Sequence, residues 1–180
     1  GSSRVMLLTC TLFLVFPLIT YAIVVHSDIS PYMLPYCITP IFIRIFMDSR
    51  TAFIAHLMTV LMCVPAVSQP AEFLTIQSLA GLTAIISLQQ LNERSELFRA
   101  ILIVLAVSVL TYISIQLINR RVLFIEDVNY TDLISIAISC LLMMIAYLLL
   151  IPIERIFGFT SNVTLIELSN ANSPILRRMS

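Results

Sequence analysis

The stretch VMLLTCTLFLVFPLITYAIVV, residues 5–25, decides the class of fold, because it carries no charged side chain over its whole length. A helix needs about 20 mainly apolar residues to cross the hydrocarbon core of a bilayer. The rest of the chain has the same character: its 180 residues are 59% hydrophobic and 11% charged, with a mean hydropathy of +1.02. Soluble domains carry far more charge. The sequence therefore predicts a membrane protein.

Five further apolar segments follow the first, and each is predicted to be a membrane helix. They run over about residues 29–46, 51–67, 73–88, 97–118 and 133–153, with a continuation of the last to 157 left open. The third and fourth segments are short, so we expect protein rather than lipid to cover their ends. Pro35 and Pro40 should make the second helix the most irregular, because each proline removes a backbone hydrogen bond.

The predicted fold class is an all-α membrane protein, a polytopic bundle of six transmembrane helices with a short cytoplasmic C-terminal connector. Residues 1–3 resemble a cloning remnant. Residues 4–158 are then the bundle, and residues 159–180 are the connector.

The arginines predict the orientation of the bundle, because loops on the cytoplasmic side keep an excess of positive charge. With the N-terminus inside, only Arg120 and Arg121 fall outside. The eight that fall inside are Arg4, Arg44, Arg50, Arg94, Arg99, Arg155, Arg177 and Arg178. Both termini are therefore predicted to be cytoplasmic.

The net charge of zero leaves no basic surface for nucleic acid.

His56 lies inside the third predicted helix, where an ionisable side chain is by default a functional candidate. No second histidine or carboxylate accompanies it in the apolar segments as predicted, so the favoured interpretation is a neutral imidazole hydrogen-bonded to a neighbouring helix. Gln77 and Thr59 are its candidate partners. Ser78, Ala80, Gly81 and Ala84 put small side chains on the fourth helix at spacings that permit close helix approach.

The cysteine spacing and the absence of known catalytic motifs argue against chemistry in this chain. The four cysteines show no CxxC pattern, so neither a metal site nor a disulfide is predicted. Motifs such as HExxH, GxSxG and GxxxxGK[ST] do not occur either. No catalysis and no cofactor are expected in this segment.

Asp48 and Arg50, in a DSR turn, are expected to mark the membrane interface and to cap the third helix.

The last thirty residues, IPIERIFGFTSNVTLIELSNANSPILRRMS, leave the membrane and begin a new element. Glu154 and Arg155 meet the interface, and Gly158 ends the helix. A short apolar stretch that ends near Glu167 is expected to lie on the membrane surface. Ser173 and Pro174 then form a helix start signal, since serine caps and proline fits the first helical position.

This tail resembles the link between membrane bundle and cytoplasmic domain in the seven-transmembrane HD-domain phosphohydrolases, bacterial cyclic-di-AMP phosphodiesterases. PYMLPYCITPIFIRIFMDSRTAF, residues 31–53, is similar to the family's proline-containing helix and DSR turn, and NERSELFRA, residues 92–100, is a weaker match. The positions that match are Pro35, Asp48, Arg50, Arg94, Glu154, Arg155, Gly158, Glu167 and Pro174. The resemblance implies architectural or transmissive roles for them.

The resemblance further implies that the family's catalytic metals and nucleotide-binding residues lie in an HD domain beyond Ser180, so none is carried onto this chain. The six helices would be the last six of seven. The implied partners are the lipid bilayer, the HD domain and an extracellular domain of the same protein, in the bacterial cytoplasmic membrane. The implied function is that of a membrane anchor that also transmits a signal to the enzyme.

Two other interpretations stay open from the sequence. A small six-helix solute-binding or transport protein predicts a cavity on which His56, Gln77 and Tyr112 converge. A passive anchor and dimerisation domain, and thus a homo-oligomer, predicts tight small-residue interfaces around Gly81 and no cavity.

Overall fold

The structure, a computed structural model, describes residues 2–88, 95–120 and 129–149. Every regular element in these ranges is helical, so the predicted all-α membrane bundle is confirmed. The six α-helices are α1 (Ser2–His26), α2 (Ile38–Phe46), α3 (Ser49–Cys63), α4 (Pro70–Ser87), α5 (Ser95–Arg120) and α6 (Tyr130–Leu148). Two 3₁₀ turns, Pro31–Met33 and Val64–Ala66, interrupt them.

Four stretches within the described residues are long and apolar enough to cross a membrane. They are Ser3–His26, Ser49–Ala66, Glu96–Asn119 and Tyr130–Leu148. The two remaining helices, α2 and α4, pack among these four and against each other. Many large apolar side chains of α1, α3, α5 and α6 are exposed, as is expected of surfaces that face lipid.

The second apolar segment is divided into two short helical pieces. Pro31 opens a 3₁₀ turn, which the Ser30 hydroxyl caps by accepting a hydrogen bond from the Tyr32 N–H at 3.3 Å. Residues 34–37 are not helical, and α2 begins only at Ile38. Pro35 and Pro40 lack the N–H groups that a continuous helix would need there. The expected irregularity of this helix is therefore a complete break.

The third and fourth segments differ in how far they lie inside the bundle. On α4, eight residues are buried, and they include Phe73, Ile76 and Ala84. By contrast, α3 exposes Ile54, Met58, Leu61 and Met62. The prediction that the third segment sits inside the bundle, covered by protein, is wrong, because these large apolar side chains lie on the surface and Ser49–Ala66 is long enough to span a membrane.

Contacts between helix ends define two ends of the bundle. The acidic end is where α1, α3 and α5 finish and where α4 and α6 begin, with Glu72 and Asp132 in their first turns. The arginine end carries Arg4, Arg50 and Arg99 near the starts of α1, α3 and α5. One apolar cluster near the arginine end contains Ile45, Leu88 and Leu97. A second, aromatic cluster lies toward the acidic end.

Candidate functional site

His56 joins α3 to α4 through a contact that depends on Gly81. Its Nε2 lies 2.7 Å from the Gln77 carbonyl oxygen, and because a carbonyl only accepts, we assign the ring proton to Nε2. A Cβ atom on Gly81 would collide with Cδ2 and Nε2 of His56. The imidazole therefore occupies the space that a side chain at position 81 would fill. Thr59 instead donates to the Ala55 carbonyl in its own helix at 2.8 Å.

A chain of aromatic rings crosses the bundle at the level of the break before α2. Phe16 of α1 contacts Tyr36 with ring centroids 5.6 Å apart, and Tyr36 meets Phe73 of α4 at 5.1 Å. Tyr32 lies 6.0 Å from Phe73 and 5.9 Å from Tyr112 of α5. Edge-to-face ring pairs add to the stability that their buried area gives. The rings thus connect α1, the broken segment, α4 and α5 in one buried layer.

Hydrogen bonds fix the two ends of this ring layer. The Tyr36 hydroxyl and the Thr20 hydroxyl are 2.7 Å apart, and Thr20 gives its single proton to the Phe16 carbonyl at 2.7 Å. Tyr36 is therefore the donor to Thr20. At the other end, the Tyr112 hydroxyl donates to Asp132 Oδ2 at 2.8 Å.

Asp132 and Glu72 are the acceptors of the acidic end. Asp132 Oδ1 accepts a hydrogen bond from the Ser30 hydroxyl at 3.1 Å, so this carboxylate ties the start of α6 to the broken segment and to α5. Glu72 Oε1 accepts from Gln116 Nε2 at 2.7 Å, which joins the start of α4 to the end of α5. We refer to Ser30, Tyr32, Glu72, Tyr112, Gln116 and Asp132 as the acidic-end network.

The acidic-end network is a structural link between helices. Among the described residues, no group of three or more His, Cys, Asp or Glu side chains is placed to hold a metal ion. The network instead ties together four parts of the bundle, namely the broken segment, α4, α5 and α6. Hydrogen bonds to a charged acceptor contribute about 1.5–3 kcal/mol each. A displacement at one of these elements is therefore resisted by the others.

A small cavity lies against the break before α2. It has a volume of about 10 Å³, and the break, α4, α5 and α6 all contribute to its lining. Pro35 lines it, and the Pro35 carbonyl accepts from the Ile38 N–H at 3.1 Å to start α2. Gln77 of α4 and Ser108 of α5 supply polar groups. The cavity is large enough for about one water molecule.

The DSR turn marks the arginine end. Asp48 occupies the N-cap position of α3 with an extended backbone, and its carbonyl accepts from the Ala52 N–H at 3.1 Å. Its carboxylate makes no capping hydrogen bond to the first turn of the helix, so the expected side-chain cap is not formed. A hydrogen bond with the side chain of Thr51, and to a smaller extent the positive charge of Arg50, lowers the pKa of Asp48 below its ordinary value of 3.8.

This lowered pKa predicts a pH dependence of stability. A carboxyl whose pKa is lower in the folded state stabilises the fold when it is ionised. That contribution is present above the ordinary value of 3.8 and is lost as the pH falls through the lower folded value. Thermal unfolding measured from neutral to acidic pH should therefore show a smaller acid-induced loss in Asp48→Asn, and also in Thr51→Val, than in the wild type. Superimposable profiles of Asp48→Asn and the wild type would contradict this assignment.

The candidate residues from the sequence fall into two sets. Pro35, Asp48, Arg50 and His56 are described, but they lie apart, at the α2 break, in the DSR turn and inside α3. Outside the described residues lie Arg94, Glu154, Arg155, Gly158, Glu167 and Pro174.

The three residues expected to converge in a solute-binding protein do not do so. His56 packs on Gly81, and its hydrogen bond goes to the backbone carbonyl of Gln77. Gln77 also lines the polar cavity, which His56 does not. Tyr112 bonds to Asp132 in the acidic-end network.

Sequence reasoning missed Glu72 and Asp132 because it began the fourth helix at Phe73 and the sixth at Leu133. Each helix starts earlier, at Pro70 and Tyr130. Asn129 supplies the missed start signal of α6, since its side chain accepts from the Thr131 N–H at 3.0 Å. With that cap recognised, Asp132 falls in the first turn of the helix.

Comparison with known protein families finds a match over most of the chain. Residues 2–161 match the family model described as "7TM receptor with intracellular HD hydrolase". No curated protein and no solved structure matches the chain. The match covers the whole bundle and ends before most of the tail, so it rests on the membrane helices themselves.

Proposed function

The chain belongs to the family of 7TM receptors with an intracellular HD hydrolase, and we propose that it is the module that anchors this hydrolase and transmits a signal to it. The match over residues 2–161 is the observation that carries the proposal. In this proposal residues 4–158 form the bundle, residues 159–180 lead to the HD domain, and catalysis belongs to that domain.

The acidic-end network supports a transmitting role. It joins the broken segment to α5 and α6 through Asp132, and α6 is the last described helix before the tail. A signal that acts on an extracellular domain would reach this end of the bundle first. The rigid link from Ser30 and Tyr112 to the start of α6 gives that signal a physical route to the tail. Such coupling requires that the extracellular signal and the HD domain both shift the equilibrium of one shared element of the bundle.

The proposed location is the bacterial cytoplasmic membrane, with the arginine end inside. The excess of arginine at one end of the described bundle supports this orientation. Both termini of the segment then face the cytoplasm.

Labelling of single introduced cysteines tests the orientation. Asp28→Cys lies at the acidic end and Arg50→Cys at the arginine end, and both positions are exposed. In intact cells, a membrane-impermeant maleimide should label Asp28→Cys and should label Arg50→Cys only after the membrane is opened. Both variants are made in a Cys10→Ser background, because Cys10 is exposed whereas Cys37, Cys63 and Cys140 are buried; this background protein is the control. The reverse pattern would overturn the orientation.

We propose cyclic-di-AMP as the substrate of the attached HD domain, because the tail and the segment at residues 31–53 resemble the phosphodiesterases that hydrolyse it. The test uses the full-length protein, with its native continuation, in membranes. Hydrolysis of cyclic-di-AMP should exceed that of cyclic-di-GMP and of linear dinucleotides. Equal or greater activity on one of the other nucleotides would overturn the choice of substrate and leave the membrane role intact.

The geometry does not favour the solute-binding alternative. The polar cavity and a second, apolar cavity near Phe42 and Tyr147 each have a volume of only about 10 Å³. Sites for small organic ligands occupy about 300–1,000 Å³. A cavity of this size cannot hold a metabolite.

A further inference from the structure

Besides Tyr32 and Tyr36, the lining of the polar cavity at the α2 break brings together three polar residues from three helices. Gln77 of α4, Ser108 of α5 and Ser139 of α6 all line it. Their side chains are 8%, 5% and 8% exposed, respectively. Each of the three residues lies near the middle of its helix. These polar groups are therefore at the depth of the hydrocarbon core. At that depth, a polar group without a partner costs several kcal/mol.

The hydrogen bonds of these three residues leave specific atoms available. Ser139 donates its proton to the Ile136 carbonyl at 2.7 Å, so its hydroxyl oxygen remains an acceptor. The backbone carbonyl of Gln77 accepts from His56, but its side-chain amide bonds to no other described residue. Neither does the Ser108 hydroxyl.

Ser108 differs in this respect from other hydroxyl residues in the same helix. Thr111 and Ser114 donate to the carbonyl four residues earlier, at 2.7 Å in each case. Ser108 makes no such bond within the described part of the chain, and it is one of the residues that line the cavity. Its donor and its acceptor are therefore both available to a bound group.

We propose that this cavity is a binding site for one ordered water molecule that bridges Gln77, Ser108 and Ser139. A buried water needs two to four polar partners and a space of about 10–15 Å³, and the cavity provides three partners and about 10 Å³. The amide offers a donor and an acceptor, Ser108 offers both, and Ser139 accepts. The water thereby connects α4, α5 and α6 beside the break before α2. This inference does not depend on the proposed function.

The apolar cavity near the arginine end shows why the proposal is confined to one site. Isoleucine, leucine and phenylalanine dominate its lining, with Met143 and Tyr147. Cavities with such linings stay dry.

Sulfur atoms beside the polar cavity make the water detectable. Cys37 and Cys140 line the cavity, and both are 3% exposed. Cys63, in the aromatic cluster, is 0% exposed and is not among the residues that line the cavity. X-ray irradiation in isotopically labelled water forms hydroxyl radicals from bound water, and these oxidise the nearest sulfur. In bilayer nanodiscs, mass spectrometry should find Cys37 and Cys140 oxidised severalfold faster than Cys63, with the isotope incorporated.

Variants assign the labelling to this water. Gln77→Leu/Ser108→Ala should reduce oxidation of Cys37 and Cys140 to the Cys63 rate, and Ser108→Ala alone should give a partial reduction if the double variant does not fold. Ser114→Ala, on the same helix but outside the cavity, should change nothing. Oxidation of Cys37 and Cys140 at the Cys63 rate in the wild type would overturn the proposal. So would labelling that persists unchanged in folded Ser108→Ala and Gln77→Leu/Ser108→Ala.

Discussion

Replacing Gly81 with alanine is expected to lower the free energy of unfolding by about 3 kcal/mol, the upper part of the range for overpacked cores. The new Cβ would occupy the position of the His56 ring. The ring would have to move away from α4, and the hydrogen bond from Nε2 to the Gln77 carbonyl would be lost. Unfolding equilibria in mixed detergent micelles, with helix content as the signal, measure this change.

A double-mutant cycle isolates the cause. His56→Ala removes the ring, so Gly81→Ala should cost much less in that background than in the wild type. The expected coupling is about 2 kcal/mol, within the range for residues in direct contact. Ser78→Ala, which adds no bulk on the same helix, should have little effect. Additive effects of Gly81→Ala and His56→Ala would contradict the proposed contact.

Replacing Asp132 with leucine is expected to lower the free energy of unfolding by about 2–3 kcal/mol, because hydrogen bonds to charged groups carry about 1.5–3 kcal/mol. The hydroxyl of Tyr112, a residue with 0% exposure, would lose its bond to Asp132. The Ser30 hydroxyl would lose its bond as well. The same unfolding assay applies.

Two controls separate this effect from a simple change of charge. Asp28→Asn removes a carboxylate that is exposed at the same end of the bundle, and it should be nearly neutral. Tyr112→Phe removes the hydroxyl that Asp132→Leu leaves behind, so the double variant should be more stable than additivity predicts. A loss in Asp28→Asn as large as that in Asp132→Leu would show that charge, and not the network, is responsible.

Composition and proline positions predicted most of the fold. Apolar length alone located the helices, because a bilayer leaves the backbone few alternatives to a helix. Pro35 and Pro40 correctly indicated the irregular second helix, since their chemistry acts locally. The exposure of α3 was not predictable from its length, because length does not show which helices pack at the centre of the bundle and which face lipid.

The candidate site was harder to predict because it depends on pairs of residues distant in the chain. The sequence showed a histidine in one helix and a small-residue pattern in another, but only packing brings His56 onto Gly81. The predicted starts of the fourth and sixth helices were three residues too late. They left Glu72 and Asp132 outside the helices. The acidic-end network was therefore hidden by small errors at element boundaries, which are the least certain part of such predictions.

The most direct test of the central claim, that the bundle transmits to an attached hydrolase, measures cyclic-di-AMP hydrolysis by the full-length protein in liposomes. A flexible Gly-Ser insertion between Glu167 and Pro174 interrupts the proposed connector, whereas the same insertion after residue 3 leaves it intact. The account predicts a severalfold change in hydrolysis rate for the connector insertion and none for the control. Equal rates in all three proteins would contradict transmission and leave the bundle as an anchor.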